Sequence, residues 1–325
     1  MNIIGKNVLV TGGAGFIGSS LAKRLSDLGG NVYVADNLSR GNKKNLNPFM
    51  SETHFHQADL TKLENCLQAT QGMDYVFHLA ASVGGIHYLL KENVYGLTPS
   101  LLMNTNMLEA ARINDVDRFI FASSACVYRE KKSALNRFKE EDANPACPLT
   151  TYGWAKIMGE IQCKAYHQDY GIKSSVVRIF NAYGEHENLD PRWSHVIPSL
   201  IRKAVLHPKE QFTVFGDGQQ ERAFLYVKDC VEGLILSMER ATDADPINLG
   251  GEEIVSVGEL AKRIISISGK PIQIEYDLSG PKGTNRYCAD TTKMKRVLRW
   301  SAKTSLKEGL ERTYQWVRRE LNVEE

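Results

Sequence analysis

Val8-Leu9-Val10-Thr11-Gly12-Gly13-Ala14-Gly15-Phe16-Ile17-Gly18 lays down a strand, a tight turn and the start of a helix. The run from Val8 to Val10 is apolar and reads as a buried strand, and Ser19-Ser20-Leu21-Ala22-Lys23-Arg24-Leu25 has helical periodicity. Gly12, Gly15 and Gly18 are spaced by three. In such a turn the first glycine permits the bend, the second lets a pyrophosphate approach the backbone, and the third lets helix pack on strand. The helix N-terminus adds free N–H groups and partial positive charge. A second apolar run, Asn31-Val32-Tyr33-Val34-Ala35-Asp36, ends in an acid. An acid there accepts hydrogen bonds from a ribose 2′-OH and repels a 2′-phosphate, so NAD is expected rather than NADP. The expected cofactor contacts are Gly12, Gly15, Phe16, Ile17, Gly18, Asp36 and the adjacent Asn37.

The chain has 325 residues, enough for a large core in one elaborate domain or two closely joined ones. Its 40 basic and 38 acidic residues leave a formal charge of +2, which argues for neither a nucleic-acid surface nor a membrane surface. The first strand begins within a few residues of Met1 and no apolar run is long enough for a bilayer, so the expected location is the cytoplasm. Cys66, Cys126, Cys147, Cys163, Cys230 and Cys288 show no metal-ligand spacing and read as reduced, mostly buried thiols.

Beyond Asp36, residues 38–48 are polar and basic and read as a surface loop beside the adenosine end of the cofactor. Residues 53–60 read as a third strand; His54 and His56 share one of its faces without a third ligand, so no metal is expected. A fourth strand is expected at 74–81, and 84–99, with its glycines, aromatics and proline, as a loop or flap over the site. Then come a helix at 101–114, a strand at 118–124, a loop at 145–149, a long helix at 152–170 and a strand at 174–180. This alternation implies an α/β fold with a parallel, doubly wound Rossmann sheet. From 181 the texture changes. Helices are expected at 194–207, 227–240, 257–269 and 305–321, and strands at 212–215, 246–249 and 272–276, with 246–249 returning to the main sheet. The expected division is an NAD-binding domain over 1–180, joined by a returning segment at about 225–250, and a smaller mixed α/β substrate lobe over 181–325. Open α/β sheets bind ligands at the carboxyl ends of their strands, so the cleft between the two is the expected site.

Tyr152-Gly153-Trp154-Ala155-Lys156 puts a phenol and an ammonium on one face at a helix start. The ammonium favours phenolate, and the positive nicotinamide adds to that, so Tyr152 is a candidate base for a hydroxyl proton while hydride leaves the same carbon. Together with the glycine loop, Asp36, Asp59-Leu60, His78-Leu79-Ala80-Ala81, Ser123-Ser124, Arg178-Ile179-Phe180-Asn181-Ala182-Tyr183-Gly184 and Gly216-Asp217-Gly218-Gln219-Gln220-Glu221-Arg222, this pair resembles the extended short-chain dehydrogenase/reductases that act on nucleotide sugars. The resemblance covers nearly the whole chain. It implies bound NAD, with Asp59, Leu60, Leu79, Ala80 and Ala81 among its contacts and Ser124, Tyr152 and Lys156 as a catalytic triad. It also implies a nucleotide-diphosphate sugar held by Gly85, Ser124, Asn181, His195, Arg222 and Arg286, and a homodimer formed through 101–114 and 152–170. One departure is Ser100, where relatives usually carry an asparagine.

Ala125-Cys126-Val127-Tyr128 narrows the reading. A cysteine at this position is similar to the GDP-mannose 3,5-epimerases and the GDP-fucose synthases, which use it as an acid/base, and the surrounding residues most resemble the epimerases. Their second acid/base is a lysine, matched here by His195, whose setting Ser194-His195-Val196-Ile197-Pro198 is similar to the fucose synthases. A 4-keto group acidifies the protons at C3 and C5, and inversion needs one group to remove a proton and another to return it on the opposite face. Thiol and imidazole both titrate within reach of neutrality. Cys126 also suits a small buried apolar site, and His195 a helix start bonded to backbone. Simple 4-epimerisation, epimerisation with net reduction, and a catalytically silent NAD-binding regulator are the competing functions.

Overall fold

The computed structural model describes residues 3–83, 93–129, 137–280 and 285–323. In chain order its first half runs β1 (Asn7–Thr11), α1 (Phe16–Asp27), β2 (Asn31–Asp36), β3 (Thr53–Gln57), α2 (Leu63–Thr70), β4 (Tyr75–His78), α3 (Asn93–Ile113), β5 (Arg118–Ser124), α4 (Thr151–Tyr170) and β6 (Lys173–Ile179). The second half runs β7 (Ala182–Tyr183), α5 (Val196–Leu206), β8 (Thr213–Phe215), β9 (Glu221–Ala223), β10 (Leu225–Tyr226), α6 (Val227–Arg240), β11 (Ile247–Leu249), β12 (Ile254–Ser256), α7 (Val257–Ser268), β13 (Glu275–Asp277), β14 (Arg286–Tyr287), α8 (Thr292–Leu298) and α9 (Leu306–Glu320).

Seven parallel strands form one sheet in the order β11-β6-β5-β4-β1-β2-β3. β1 is apolar and buried along most of its length because it pairs on both edges, with Val8 opposite Val32 of β2 and Leu9 opposite Val76 of β4. The chain starts there, moves outward to β2 and β3, then crosses to β4 on the other side. The strand order therefore reverses between β1 and β4, and a crevice opens at their carboxyl ends. One face of the sheet is covered by α1 and α6 through Leu21, Leu25, Val231, Leu234 and Met238. The other packs against α2, α3 and α4 through Cys66, Met107, Leu108 and Cys163. A third apolar cluster gathers α5, α7 and α9 around Tyr183, Tyr226, Leu260 and Leu310. β11 returns to the main sheet, with Ile247 opposite Val177.

Two expected loops are wholly or partly helical. α3 begins at Asn93, so Pro99 lies inside a helix and not in a flap; residues 84–92, including Gly85, lie outside the described residues. Proline's fixed φ is helical and its cost is mainly one lost backbone bond, which the buried face of Gly96, Ser100, Met103 and Met107 outweighs. The basic loop after Asp36 contains a kinked 3₁₀ segment, Lys43–Glu52, that buries Leu46 and Phe49 against α1. Cys147 is exposed, Cys126 is half-buried and the other four thiols are buried. Among the described residues no helix is long and apolar enough to cross a membrane, and no His/Cys/Asp/Glu group could hold a metal.

Candidate active site

Gly12 follows β1 with φ +66, the left-handed region that glycine adopts freely, and a Cβ there would come within 3.0 Å of the Ala80 backbone nitrogen. A Cβ at Gly18 would run into the Gly12 carbonyl oxygen. The loops after β1 and β4 thus meet with no side chain between them. Ala80 N donates to Thr11 Oγ1 at 3.1 Å. α1 starts on Gly15 with no side chain capping its first N–H groups, leaving them for an anion, with Phe16 and Ile17 in that first turn. At the end of β2 the buried Asp36 carboxylate accepts from Ala14 N at 3.0 Å and Leu38 N at 2.8 Å. Burial raises its pKa and these two bonds pull against that. A bare glycine cradle, an uncapped helix start and an acid at the second strand fit a dinucleotide without a 2′-phosphate. Asn37 and Asp59 are exposed, Leu60 is buried, and Leu79, Ala80 and Ala81 line the turn after β4.

Four chemistry-bearing residues come together where β5 ends and α4 begins. Ser124 ends β5 and its Oγ accepts from Cys126 N at 3.1 Å, which sets the short turn Ala125–Val127. α4 begins one residue before Tyr152, so its first turn brings the phenol toward Ser124, which lowers its pKa. Lys156, one turn on, is 1% exposed and donates from Nζ to Ala122 O at 2.6 Å; Nζ lies 5.5 Å from the Tyr152 ring centroid. Burial pulls the Lys156 ammonium down to about 8, against nearby acidic groups that raise it. Burial pushes the Tyr152 phenol up, the nearby Cys126 adds to that, and Ser124 only partly offsets it. Burial thus works against the phenolate that the Tyr152/Lys156 spacing leads one to expect. Burial likewise raises the Cys126 thiol, while Ser124 and Lys156 lower it.

Asn181, Arg222 and Arg286 meet on the small sheet β12-β9-β14. Asn181 Nδ2 donates to the carbonyls of Ala223 and Tyr287, and Arg222 lies opposite Tyr287 in the β9–β14 pairing. Arg286 is ion-paired with Glu221 at 2.6 Å. His195 stands apart: it is the N-cap residue of α5, makes no capping bond, and bonds Glu187. No hydrogen bond among the described residues joins it to Cys126. Sequence reading passed over Tyr287, whose hydroxyl donates to Ala125 O, and over a buried relay beneath the site. In that relay Thr11 Oγ1 lies 2.8 Å from His78 Nδ1, His78 Nε2 lies 3.1 Å from Asn104 Oδ1, and Asn104 Nδ2 donates to Ala155 O. The buried asparagine of α3 is thus Asn104, one turn beyond Ser100, whose Oγ accepts from Ser82 N.

A doubly wound sheet with a glycine cradle at its switch point, and a Tyr/Lys pair on the helix beside it, defines a dinucleotide-dependent enzyme of the short-chain type. Residues 8–250 match the NAD dependent epimerase/dehydratase family, and the chain belongs to it. GDP-mannose 3,5-epimerase 1 of Oryza sativa subsp. japonica is 36% identical, over 98% of this chain and 83% of its own length. The crystal structure of Thermotoga maritima UDP-glucose 4-epimerase with UDP-glucose is 30% identical with a TM-score of 0.87, over 97% of this chain and 99% of that one. Thermus thermophilus UDP-glucose 4-epimerase in complex with NAD is 26% identical with a TM-score of 0.84, over 96% and 99%. The protein is an NAD-dependent enzyme of the nucleotide-sugar epimerase/dehydratase family.

Proposed function

We propose that the protein inverts C3, C5 or both in a nucleotide-diphosphate sugar through a transient 4-ketone, as a GDP-mannose 3,5-epimerase-like enzyme. The observation that carries this is the Cys126 thiol, placed in the same turn as Ser124 and beside Tyr152 and Lys156. The 36% identity to the rice GDP-mannose 3,5-epimerase supports it. In this reading residues 1–180 with the returning segment at about 225–250 hold the cofactor through the glycine turn, Asp36 and the β4 loop. Residues 181–325 bind the nucleotide sugar, with Asn181, Arg222 and Arg286 toward its diphosphate. NAD, held by the glycine turn and Asp36, would supply a hydride acceptor and a positive charge. Tyr152 takes the O4 proton as the C4–H bond breaks, and Lys156 holds the cofactor ribose and favours phenolate. The 4-ketone then acidifies C3 and C5. One of Cys126 and His195 removes a proton, the bonding pair moves into the enolate, and the other returns a proton on the opposite face. Tyr152 would then return the proton to O4 as the C4–H bond re-forms.

A 4-epimerase is the second reading, favoured by likeness to the Thermotoga maritima enzyme. Epimerisation with net reduction needs exchangeable NADPH, which the buried Asp36 disfavours. Turnover of GDP-mannose and UDP-glucose in D₂O separates the first two. Inversion at C3 or C5 places deuterium on that carbon, because a proton held by thiol or imidazole exchanges with solvent; 4-epimerisation places none. Cys126→Ser should lose about 10²–10⁴ in kcat while still reducing NAD transiently. Deuterium-free product and near-normal rates in Cys126→Ser would leave the 4-epimerase. We further propose a homodimer through α3 and α4, whose exposed Leu102, Trp154, Met158 and Ile161 form an apolar surface.

A further inference from the structure

His195 is 55% exposed, whereas the Glu187 carboxylate behind it is 3% exposed. Glu187 Oε1 lies 2.6 Å from His195 Nδ1, and Glu187 Oε2 is buried with no hydrogen-bond partner among the described residues. Burying a carboxylate is costly unless a cation or strong donor answers it, and the imidazole is the group that does. The imidazole is not spent on its own helix: His195 is the N-cap of α5 with extended backbone and no side-chain cap bond. We propose that Glu187 is the positioning residue for His195. It fixes the Nδ1–H tautomer, leaves Nε2 as the nitrogen that gains and loses a proton, and favours the imidazolium. This rests on the reading of His195 as one of the two acid/base groups.

The tautomer follows from the donor inventory. Burial raises the Glu187 carboxyl and the His195 contact pulls it back down; once ionised it only accepts, so its close contact to Nδ1 places a hydrogen on Nδ1, and the proton exchanged with substrate resides on Nε2. In the transfer step the Nε2–H bond breaks, the proton joins the enolate carbon, and the electron pair stays on Nε2. Glu187 remains a carboxylate throughout and Nδ1 keeps its hydrogen, as a buried acid does behind a catalytic imidazole in hydrolase triads. Two charges face the ring. Loss of solvent on one side lowers its pKa, the Glu187 carboxylate raises it by more, and the Arg40 guanidinium from the loop after β2 lowers it. Arg40 stacks on Trp193 at 4.0 Å and donates to the Val83 carbonyl, and on the imidazole's own segment Arg192 is tied to Asp190. The result stands above the ordinary histidine value.

The test compares Glu187→Gln and Glu187→Asp with the unaltered protein, loaded with NAD. Glu187→Gln should lower kcat by about 10-fold or more, the lower bound being the loss typical when the partner orienting a metal-ligating imidazole is removed, with KM nearly unchanged. A raised pKa keeps the imidazole protonated to higher pH, so removing the carboxylate should move the basic limb of the kcat profile to lower pH. Glu187→Asp keeps the charge and should keep that limb in place. Transient NAD reduction, which depends on Tyr152 and Lys156, should be normal in both variants. Wild-type kcat and an unmoved limb in Glu187→Gln overturn the positioning role alone. Full inversion and deuterium uptake in His195→Asn overturn both the positioning role and the acid/base reading beneath it. Should Glu187→Gln fail to fold, ¹⁵N NMR of the unaltered protein decides: an Nε2–H tautomer, or a His195 titrating at its ordinary pH, overturns the proposal.

Discussion

Lys156 and His78 show how burial sets what a side chain does in this protein. Lys156 is fully enclosed, and its ammonium is held by the Ala122 carbonyl and by closeness to the Tyr152 ring. Tyr152→Phe removes one hydroxyl, so it should abolish NAD reduction while leaving the melting temperature nearly unchanged. Lys156→Met should also abolish it, weaken NAD binding, and lose about 1–3 kcal/mol of stability by leaving a buried carbonyl unanswered. Stopped-flow absorbance and thermal melts check both; rapid NAD reduction by Tyr152→Phe would move the O4 proton to another group. His78 lies under the same site. Burial chiefly, and the Lys156 charge next, pull its pKa from 6.5 down to about 3. The folded value is below the unfolded one, so between about pH 6.5 and 3 the unfolded chain binds a proton that the folded chain refuses. Stability on this account is full above that window and falls with acidification, with a slope approaching 1.4 kcal/mol per pH unit. Imidazole NMR should show His78 neutral down to about pH 4, and titration near 6.5 would contradict it. Of the site, the residues that announce themselves in sequence are those with a fixed spacing, Gly12 to Gly18 and Tyr152 to Lys156. Glu187 and Tyr287 carry no such signal: each matters through a partner remote in periodicity, and only the packed chain brings it there.

At the level of elements, α4 places the chemistry. Thr150 caps it, with Oγ accepting from Gly153 N at 3.2 Å, and Gly153 has no room for a Cβ against the Cys126 carbonyl and Pro148. The cap therefore anchors the turn that carries Tyr152 onto the loop that carries Cys126. Thr150→Ala should cost about 1 kcal/mol in denaturant melts and lower kcat more than it alters NAD binding. Unchanged stability and rate would show that packing alone seats the helix. Long elements with a clear period were legible in sequence: α6 lies at 227–240 as expected, α4 starts one residue earlier than expected, and β6 is shifted by one residue at both ends. β7, β9, β10, β12 and β14 were not, because two or three residues hold no period. The start of α3 was hidden by Pro99 and by apolar residues on more than one side of the helix, with Met103 buried and Leu102 exposed.

For the whole molecule, Trp154, Met158 and Ile161 follow one another at helical spacing on the outer face of α4, with Leu102 on the neighbouring α3. Replacing Trp154 and Met158 together by Glu should convert the proposed dimer to monomer in analytical ultracentrifugation while each chain keeps its NAD; a wild-type monomer would remove the dimer. The central sheet carries a different consequence. Its strand β6 has β5 on one edge and β11 on the other, and β11 reaches it only after the chain has passed through β7, α5, β8, β9, β10 and α6. On the ribosome, residues 173–179 therefore emerge well before the strand that covers them. Until residue 249 is made, the nascent chain presents a row of unpaired backbone groups on a strand that carries Val176, Val177 and Ile179, the kind of edge on which chains stick to one another. Synthesis of this protein passes through an interval of exposure that its finished form gives no sign of, and a translational pause or a truncation falling between 180 and 247 would prolong it.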